Sequence, residues 1–397
     1  MSFENPSQII RSWGLTKNFA AGPTTVDKLV PPTYGKIRTP FVQTWREEKL
    51  SQNLDWESQN FSYYLPESLR VISSMFLEVD IPAISGDNFK PYCGLYVVKT
   101  VRLLSAGQEI YTVDVAAFLR DYCESLSDEE LESFGRIYLG HTEGPSATAR
   151  KVMIPILLPQ SAYMQRHGAN TRGSGIWPCF TAQNRLEIQI TLNSSKYVSL
   201  GSNVPASIGG KCSIMMHQVD MAAADVLRYS DLRGTYSLIN RRFTELTSGW
   251  QSVSGNTPVV FTHSQPVGCV TEVFLQAIAT GTAVEQRELL AQVLPINFKV
   301  VADSVCQKDL NTPQKVQMEL WANGFTQNSK FKNCARLCFA SHAAESTHVY
   351  SGGYNMQMAS NVSFEFEFDS GTDYRLYAVQ LQRVSIDSLG LIRASLE

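Results

Sequence analysis

Val362-Ser363-Phe364-Glu365-Phe366-Glu367-Phe368 changes polarity at every residue, and Leu186-Glu187-Ile188-Gln189-Ile190-Thr191-Leu192 does the same. Val316 to Leu320, Ile296 to Val300 and Leu77 to Ile81 share the pattern. Successive side chains of a strand point to opposite faces, so a period of two predicts strands with one wet and one dry face. Such runs along the whole chain predict antiparallel sheets packed face to face, an all-β sandwich architecture.

The 397 residues are 44% hydrophobic and 18% charged, enough apolar material for a core and a length that suits two domains. A net charge of −3 argues against a dedicated, sequence-specific nucleic-acid binder, which needs a strongly basic face. The eight cysteines stand at 93, 123, 179, 212, 269, 306, 334 and 338 with no Cys-x-x-Cys pair. That scatter reads as buried free thiols in a reducing compartment. No apolar run follows a basic start at the N-terminus, and none approaches the roughly 18 residues of a membrane span. Synthesis in a cytoplasm is the expectation.

Residues 1–64 read as an N-terminal arm. Residues 1–46 hold Arg11, Lys17, Lys28, Lys36, Arg38 and Arg46 against only Glu4 and Asp27, with Pro6, Pro23, Pro31, Pro32 and Pro40 interrupting. One short helix fits around Ser7 to Trp13. The arm is either a solvated leader or a segment that orders against a partner surface.

Strands are predicted at Leu69 to Ile81, Tyr96 to Leu104 and Glu109 to Val113, the last two joined by a turn at Ser105-Ala106-Gly107-Gln108. Asp114 opens a helix through Tyr122. Ser127-Asp128-Glu129-Glu130 opens another with a capping box and acid in its first turn. Val152 to Leu158, Phe180 to Ala182, Arg185 to Leu192 and Cys212 to Val219 complete a first set, with Ser161 to Gly175 as a loop. A short helix at Met221 to Tyr229 precedes a second set: Tyr236 to Leu246, Thr257 to His263, Cys269 to Ala279, Ile296 to Val301, Val316 to Trp321, Ala335 to Phe339, Val362 to Phe368 and Tyr377 to Val384. Val284 to Leu294 has a helical face. Each half thus holds about eight strands, the number of a jelly roll. The domains are drawn as 65–228, a first jelly roll with connector helix, and 229–397, a second.

Four stretches carry a resemblance. Tyr92 to Val101 followed by Gly107-Gln108-Glu109-Ile110 is one. Met153-Ile154-Pro155-Ile156-Leu157-Leu158, then Trp177-Pro178, then Leu186 to Ile190 is the second. The third is Val219-Asp220 through Asp225-Val226-Leu227 to Tyr236-Ser237-Leu238-Ile239. The fourth is Phe261-Thr262-His263-Ser264-Gln265-Pro266-Val267 with Val270 to Leu275, where two residues separate histidine from proline. In order and spacing, residues 65 to 397 resemble the double jelly-roll major capsid proteins of icosahedral DNA viruses, a lineage that spans large eukaryotic DNA viruses, virophages and membrane-containing phages. The resemblance implies two tandem eight-stranded sandwiches with short helices in loops. It further implies a homotrimeric, pseudo-hexagonal capsomer in a virion. Its partners would be neighbouring capsomers, penton and minor capsid proteins and, through the basic arm, an internal membrane.

Residues for chemistry are sparse. Cys334, Cys338 and His342 are spaced by four, a zinc-like pattern, yet on a strand the two thiols share a face with apolar neighbours and read as core. There is no Gly-x-Ser-x-Gly, no phosphate loop and no His-Glu-x-x-His. Asp128-Glu129-Glu130 reads as a helix start. Glu365 and Glu367 read as a solvated or inter-subunit face, and the Asn361-Val362-Ser363 glycosylation pattern is discounted. No catalytic, cofactor or metal residue is assigned, and the expectation is a structural protein. Trp250, Trp321 and Tyr350 are candidates for a subunit interface. Two other readings compete. A carbohydrate-binding or host-attachment jelly roll would use Trp177 near Asn170. A cupin-like enzyme would need clustered histidines, and none of His141, His167, His217, His263, His342 and His348 is two residues from another.

Overall fold

The computed structural model describes residues 42–50, 54–57, 61–65, 70–142, 145–156, 177–178, 185–209, 212–220, 237–263, 268–281, 292–325, 333–340 and 353–396. The chain divides into two compact units. Unit 1 holds the residues through Leu119, then Glu132–Asn240 and Arg383–Ser395; unit 2 holds Arg120–Leu131, Arg241–Gln382 and the last two residues.

The first roll contains β1 (Val42–Lys49), β2 (Phe61–Tyr64), β3 (Arg70–Ile81), β4 (Val98–Ser105), β5 (Gln108–Asp114), β6 (Arg150–Pro155), β7 (Trp177–Pro178), β8 (Leu186–Leu192) and β9 (Cys212–Asp220). One sheet runs β1-β9-β3-β6, with the two-residue β7 also on β3, and the other runs β2-β8-β4-β5. The second roll contains β10 (Ser237–Glu245), β11 (Gln251–Val253), β12 (Val259–His263), β13 (Cys269–Ala279), β14 (Asn297–Ala302), β15 (Val305–Leu310), β16 (Ala335–Cys338), β17 (Tyr354–Asn355), β18 (Val362–Glu367), β19 (Thr372–Ile386) and β20 (Ile392–Leu396). Its sheets run β10-β19-β13-β16 and β12-β18-β14-β15, with the short β11 and β17 and the C-terminal β20 added to the first. With the principal strands of each roll ranked one to eight, both rolls read 1-8-3-6 and 2-7-4-5. This double Greek-key order is the jelly roll, and it occurs twice.

Local chemistry explains the elements. In β8 and β18 every second side chain is buried, with Ile188, Ile190, Phe364 and Phe366 in the interior. Leu103 faces Ile188 and Val101 faces Ile190 across the ladder, so the register keeps the dry faces together. Ala106 and Gly107 both have positive φ, 51° and 77°, which gives the β4–β5 hairpin a turn whose twist matches its strands. Helix α1 (Val115–Glu124) is capped by Asp114, whose carboxylate accepts from the Ala117 amide at 3.1 Å. Helix α2 (Asp128–Tyr138) has the expected box: the Ser127 amide donates to Glu130 at 3.1 Å and the Glu130 amide to Ser127 Oγ at 3.4 Å. α2 lies close on the turn at Cys93–Tyr96, where a Cβ on Gly135 would come within 2.2 Å of the Tyr92 ring.

Three expectations need correction or extension. Val316 to Leu320 is not a strand but part of helix α3 (Pro313–Ala322). Thr312 caps it and Pro313 occupies its first turn, which outweighs five alternating residues. Val316 and Leu320, four apart, are buried, whereas Met318 between them is 67% exposed. A strand would have buried all three. Second, residues 42–64 of the expected arm supply β1 and β2, without which the first roll lacks two edge strands. Third, β15 and β20 each bury a single residue, so neither shows the alternation that marks a strand in the sequence. The helices proposed at Ser7 to Trp13 and Met221 to Tyr229, nearly all of Val284 to Leu294, the Ser161 to Gly175 loop and Phe180 to Ala182 lie outside the described residues.

Candidate functional site

Cys334 and Cys338 are buried, and burial drives the Cys334 thiol up to about 12, so it is a neutral core group. His342 lies outside the described residues, as do His167 and His348. Among the described residues no three His, Cys, Asp or Glu side chains are placed to hold a metal ion. His141 stacks on Tyr92 at 4.2 Å, and His217 packs tilted against Trp45 at 4.7 Å. Glu365 pairs with Lys299 directly across the ladder at 2.7 Å, and Glu367 accepts from Asn297, so both sit on a solvated face. Asn361 is exposed at the start of β18. Trp177 lies in β7, and its proposed neighbour Asn170 is outside the described residues.

What the sequence reading missed is a buried ionic cluster in unit 2. Arg120, Asp121, Glu124, Arg241, Glu272 and Arg336 are each at most 1% exposed. Asp121 and Glu124 project from the end of α1. Arg241, Glu272 and Arg336 project from β10, β13 and β16, all in the seven-stranded sheet. Arg336 is the hub. Its Nη1 donates to Asp121 Oδ1 at 2.6 Å and to Glu272 Oε2 at 3.1 Å, and its Nη2 to Glu124 Oε2 at 2.5 Å. Arg241 donates to Asp121 Oδ2 at 2.9 Å and to Glu272 Oε1. Arg120 Nε donates to Glu124 Oε1 at 2.8 Å, and the Cys334 amide donates to the same oxygen at 3.0 Å. The Arg336 guanidinium lies over the Phe325 ring at 3.9 Å.

Three positive and three negative groups balance, which is the condition for charges to remain ionised away from water. Burial opposes the charge on Arg336, yet Glu124, Asp121 and Glu272 overcome it and hold the guanidinium well above its usual value. Burial likewise opposes the charge on Glu124, but Arg336 and Arg120 hold its carboxyl below the usual range. A carboxylate whose folded pKa is depressed contributes stability above its unfolded value, near about 4.3 for glutamate, and loses it as pH falls through the folded value. Glu124→Gln is therefore less stable than wild type at neutral pH, and the gap narrows as pH drops below about 4.3. Urea midpoints measured from neutral to strongly acid pH check this; parallel curves for the two proteins would contradict it.

The signal for the cluster was present but unread. Glu272 interrupts Cys269 to Ala279, and Arg336 interrupts Ala335 to Phe339, each a lone charge in an otherwise buried strand. Both faces of β13 are covered, since every residue from Val270 to Ile278 is buried. A sheet covered on both sides leaves such charges no water and obliges them to find partners.

Of the interface candidates, Trp321 on α3 is 83% exposed, with Met318 beside it. Trp250 is half-buried under the Arg375 guanidinium, 5.6 Å from its ring, and Tyr350 is outside the described residues. Trp45, on the edge strand β1, is 56% exposed and was not singled out by the sequence.

No protein-family model and no curated protein matches the chain. Solved structures do. The chain of a PBCV-1 virus capsid model superposes with a TM-score of 0.65 at 12% identity, over 91% of this chain and 97% of that one. The Faustovirus major capsid protein gives 0.63 at 10% identity over 89% and 92%, and the mavirus major capsid protein 0.57 at 10% over 89% and 90%. Agreement over nine-tenths of both partners, with two rolls of identical strand order, establishes the fold: this chain is a double jelly roll of the architecture seen in those viral capsid proteins.

Proposed function

We propose that the chain is a major capsid protein whose homotrimers form pseudo-hexagonal blocks of an icosahedral virion. The observation that carries this reading is the exact repetition of strand order in the two rolls. Two like sandwiches per chain, taken three times, give six comparable blocks around a ring, a footprint able to tile a shell. The likeness to viral capsid chains over nearly their full length supports it. Closed homo-oligomers of this kind need large, obligate contacts, on the order of 2,000 Å² or more. Partners on this reading are neighbouring capsomers, penton and minor capsid proteins. The basic residues of 1–46 suit anionic headgroups of an internal membrane, each Lys or Arg near the surface contributing about 1 kcal/mol.

Native mass spectrometry and electron microscopy of the purified protein test the proposal together. A trimer with a hexagonal outline is expected, with shells or sheets at high concentration. A protein that stays monomeric at all concentrations would end it.

A further inference from the structure

The two rolls repeat more than strand order. In each, the only α-helices among the described residues lie in the connection between the fifth and sixth strands: α1 and α2 after β5, α3 after β15. In unit 2 such a connection packs on the outer face of a roll's first strand. Asp121, from the connection after β5, pairs with Arg241 on β10, and Arg241 is fully buried by it and its neighbours. Among the described residues the corresponding parts elsewhere leave large apolar side chains exposed. The outer face of β1, the first strand of the other roll, carries Trp45, which packs on Phe76 and the half-buried His217 along one side and is still 56% exposed. Trp45 is on the outer face because Glu48, of opposite parity, reaches Tyr63 on the facing sheet. The connection after β15 carries α3, with Met318 and Trp321 at 67% and 83% exposure on one helical stripe.

Resting on the capsid reading above, we propose that α3 of one copy docks on the outer face of β1 and β9 in a second copy, Trp321 and Met318 packing against Trp45. A helix stripe and a strand face that differ from one another, each exposed among the described residues, are the arrangement of a heterologous interface, which closes into a ring when the rotation permits. Exposed tryptophan and methionine are the residue types enriched at the buried centre of such contacts. The charges agree: Lys315 is exposed one turn from Met318, and Glu47 is exposed two residues from Trp45 on the same side of β1. The occupant is a copy of this chain because the internal repeat already seats an equivalent connection on an equivalent strand.

The test uses Trp321→Glu and Trp45→Glu in the full chain, with mass read by native mass spectrometry and light scattering. Wild type is expected to be trimeric and each variant monomeric at concentrations at least tenfold above the wild-type midpoint. An equal mixture of the two variants is expected to form dimers, because each retains the face that the other has lost. A single cooperative thermal transition in the monomeric variant shows that exposed Trp321 is not needed for the fold, its midpoint being lower than wild type because the interface is lost; Glu47→Arg replaces Trp45→Glu if the latter fails to fold. Trimers from either variant, or a mixture that stays monomeric, overturn this interface while leaving the capsid reading in place. A monomeric wild type instead overturns the capsid reading on which it rests.

Discussion

Arg336→Met is expected to lower the unfolding free energy of unit 2 by about 3–5 kcal/mol, the usual penalty for breaking a buried ion pair from one side. Methionine keeps the aliphatic stem but ends short of the guanidinium that lies over Phe325 and Phe274, so the loss combines the broken ion pairs with those ring contacts. Asp121, Glu124 and Glu272 would remain in a site without water, sharing only Arg120 and Arg241. Three carboxylates against two guanidiniums leave one uncompensated negative charge. Chemical denaturation measures the change, and hydrogen exchange in 120–131 and 270–279 locates it. Arg393→Met is the control, because its pair with Asp387 is on the surface and is worth at most about 1 kcal/mol. Equal effects from the two substitutions would mean that the cluster is solvated. Adding Glu124→Gln to Arg336→Met restores charge balance, so the double variant is expected to recover part of the loss, a coupling that a double-mutant cycle reads directly. The cluster as a whole is not thereby a source of net stability. Desolvating six charges offsets most of what their attraction returns.

Phe366→Ala is expected to cost about 3–5 kcal/mol, whereas Glu365→Ala, one residue away, costs less than about 1 kcal/mol. Phe366 is 1% exposed and packs edge-on against Phe298, Phe368 and Tyr374, with ring centroids at 6.0, 5.8 and 4.9 Å. Deleting it removes apolar burial and leaves a cavity among rigid rings that cannot collapse. Glu365 pairs with Lys299 at the edge of water. Denaturant midpoints at constant m-value read both effects. Comparable losses from the two would show that β18 is not a strand with one dry face.

The strands most readily found were those with a solvated outer face. In β8, β14 and β18 water enforces polarity on one side and the core enforces its absence on the other, so burial is written as alternation. Strand β13 was found from its apolar run, Cys269 to Ala279, but its charge was not understood. Its second face is covered, and Glu272 looks like any polar residue until Arg241 and Arg336 are brought to it. β1 was missed because an exposed edge strand can be mostly polar, as Val42–Lys49 is, and its pairing with β9 spans more than 160 residues of sequence. The five residues Val316 to Leu320 fit both periods, and only the Thr312-Pro313 start decides for a helix.

Composition, the period of two and the turn residues determined by themselves that this polypeptide forms antiparallel sandwiches, because side-chain alternation follows from backbone geometry within one strand. The hairpin at Ala106-Gly107 and the caps at Asp114 and Ser127 were local for the same reason: their hydrogen bonds close within a few residues. Tertiary structure alone decided which strands lie side by side, that the order 1-8-3-6 and 2-7-4-5 recurs, and that six charges separated by up to 216 positions neutralise one another. Those facts depend on contacts between distant segments, whose desolvation and pairing energies no local pattern records.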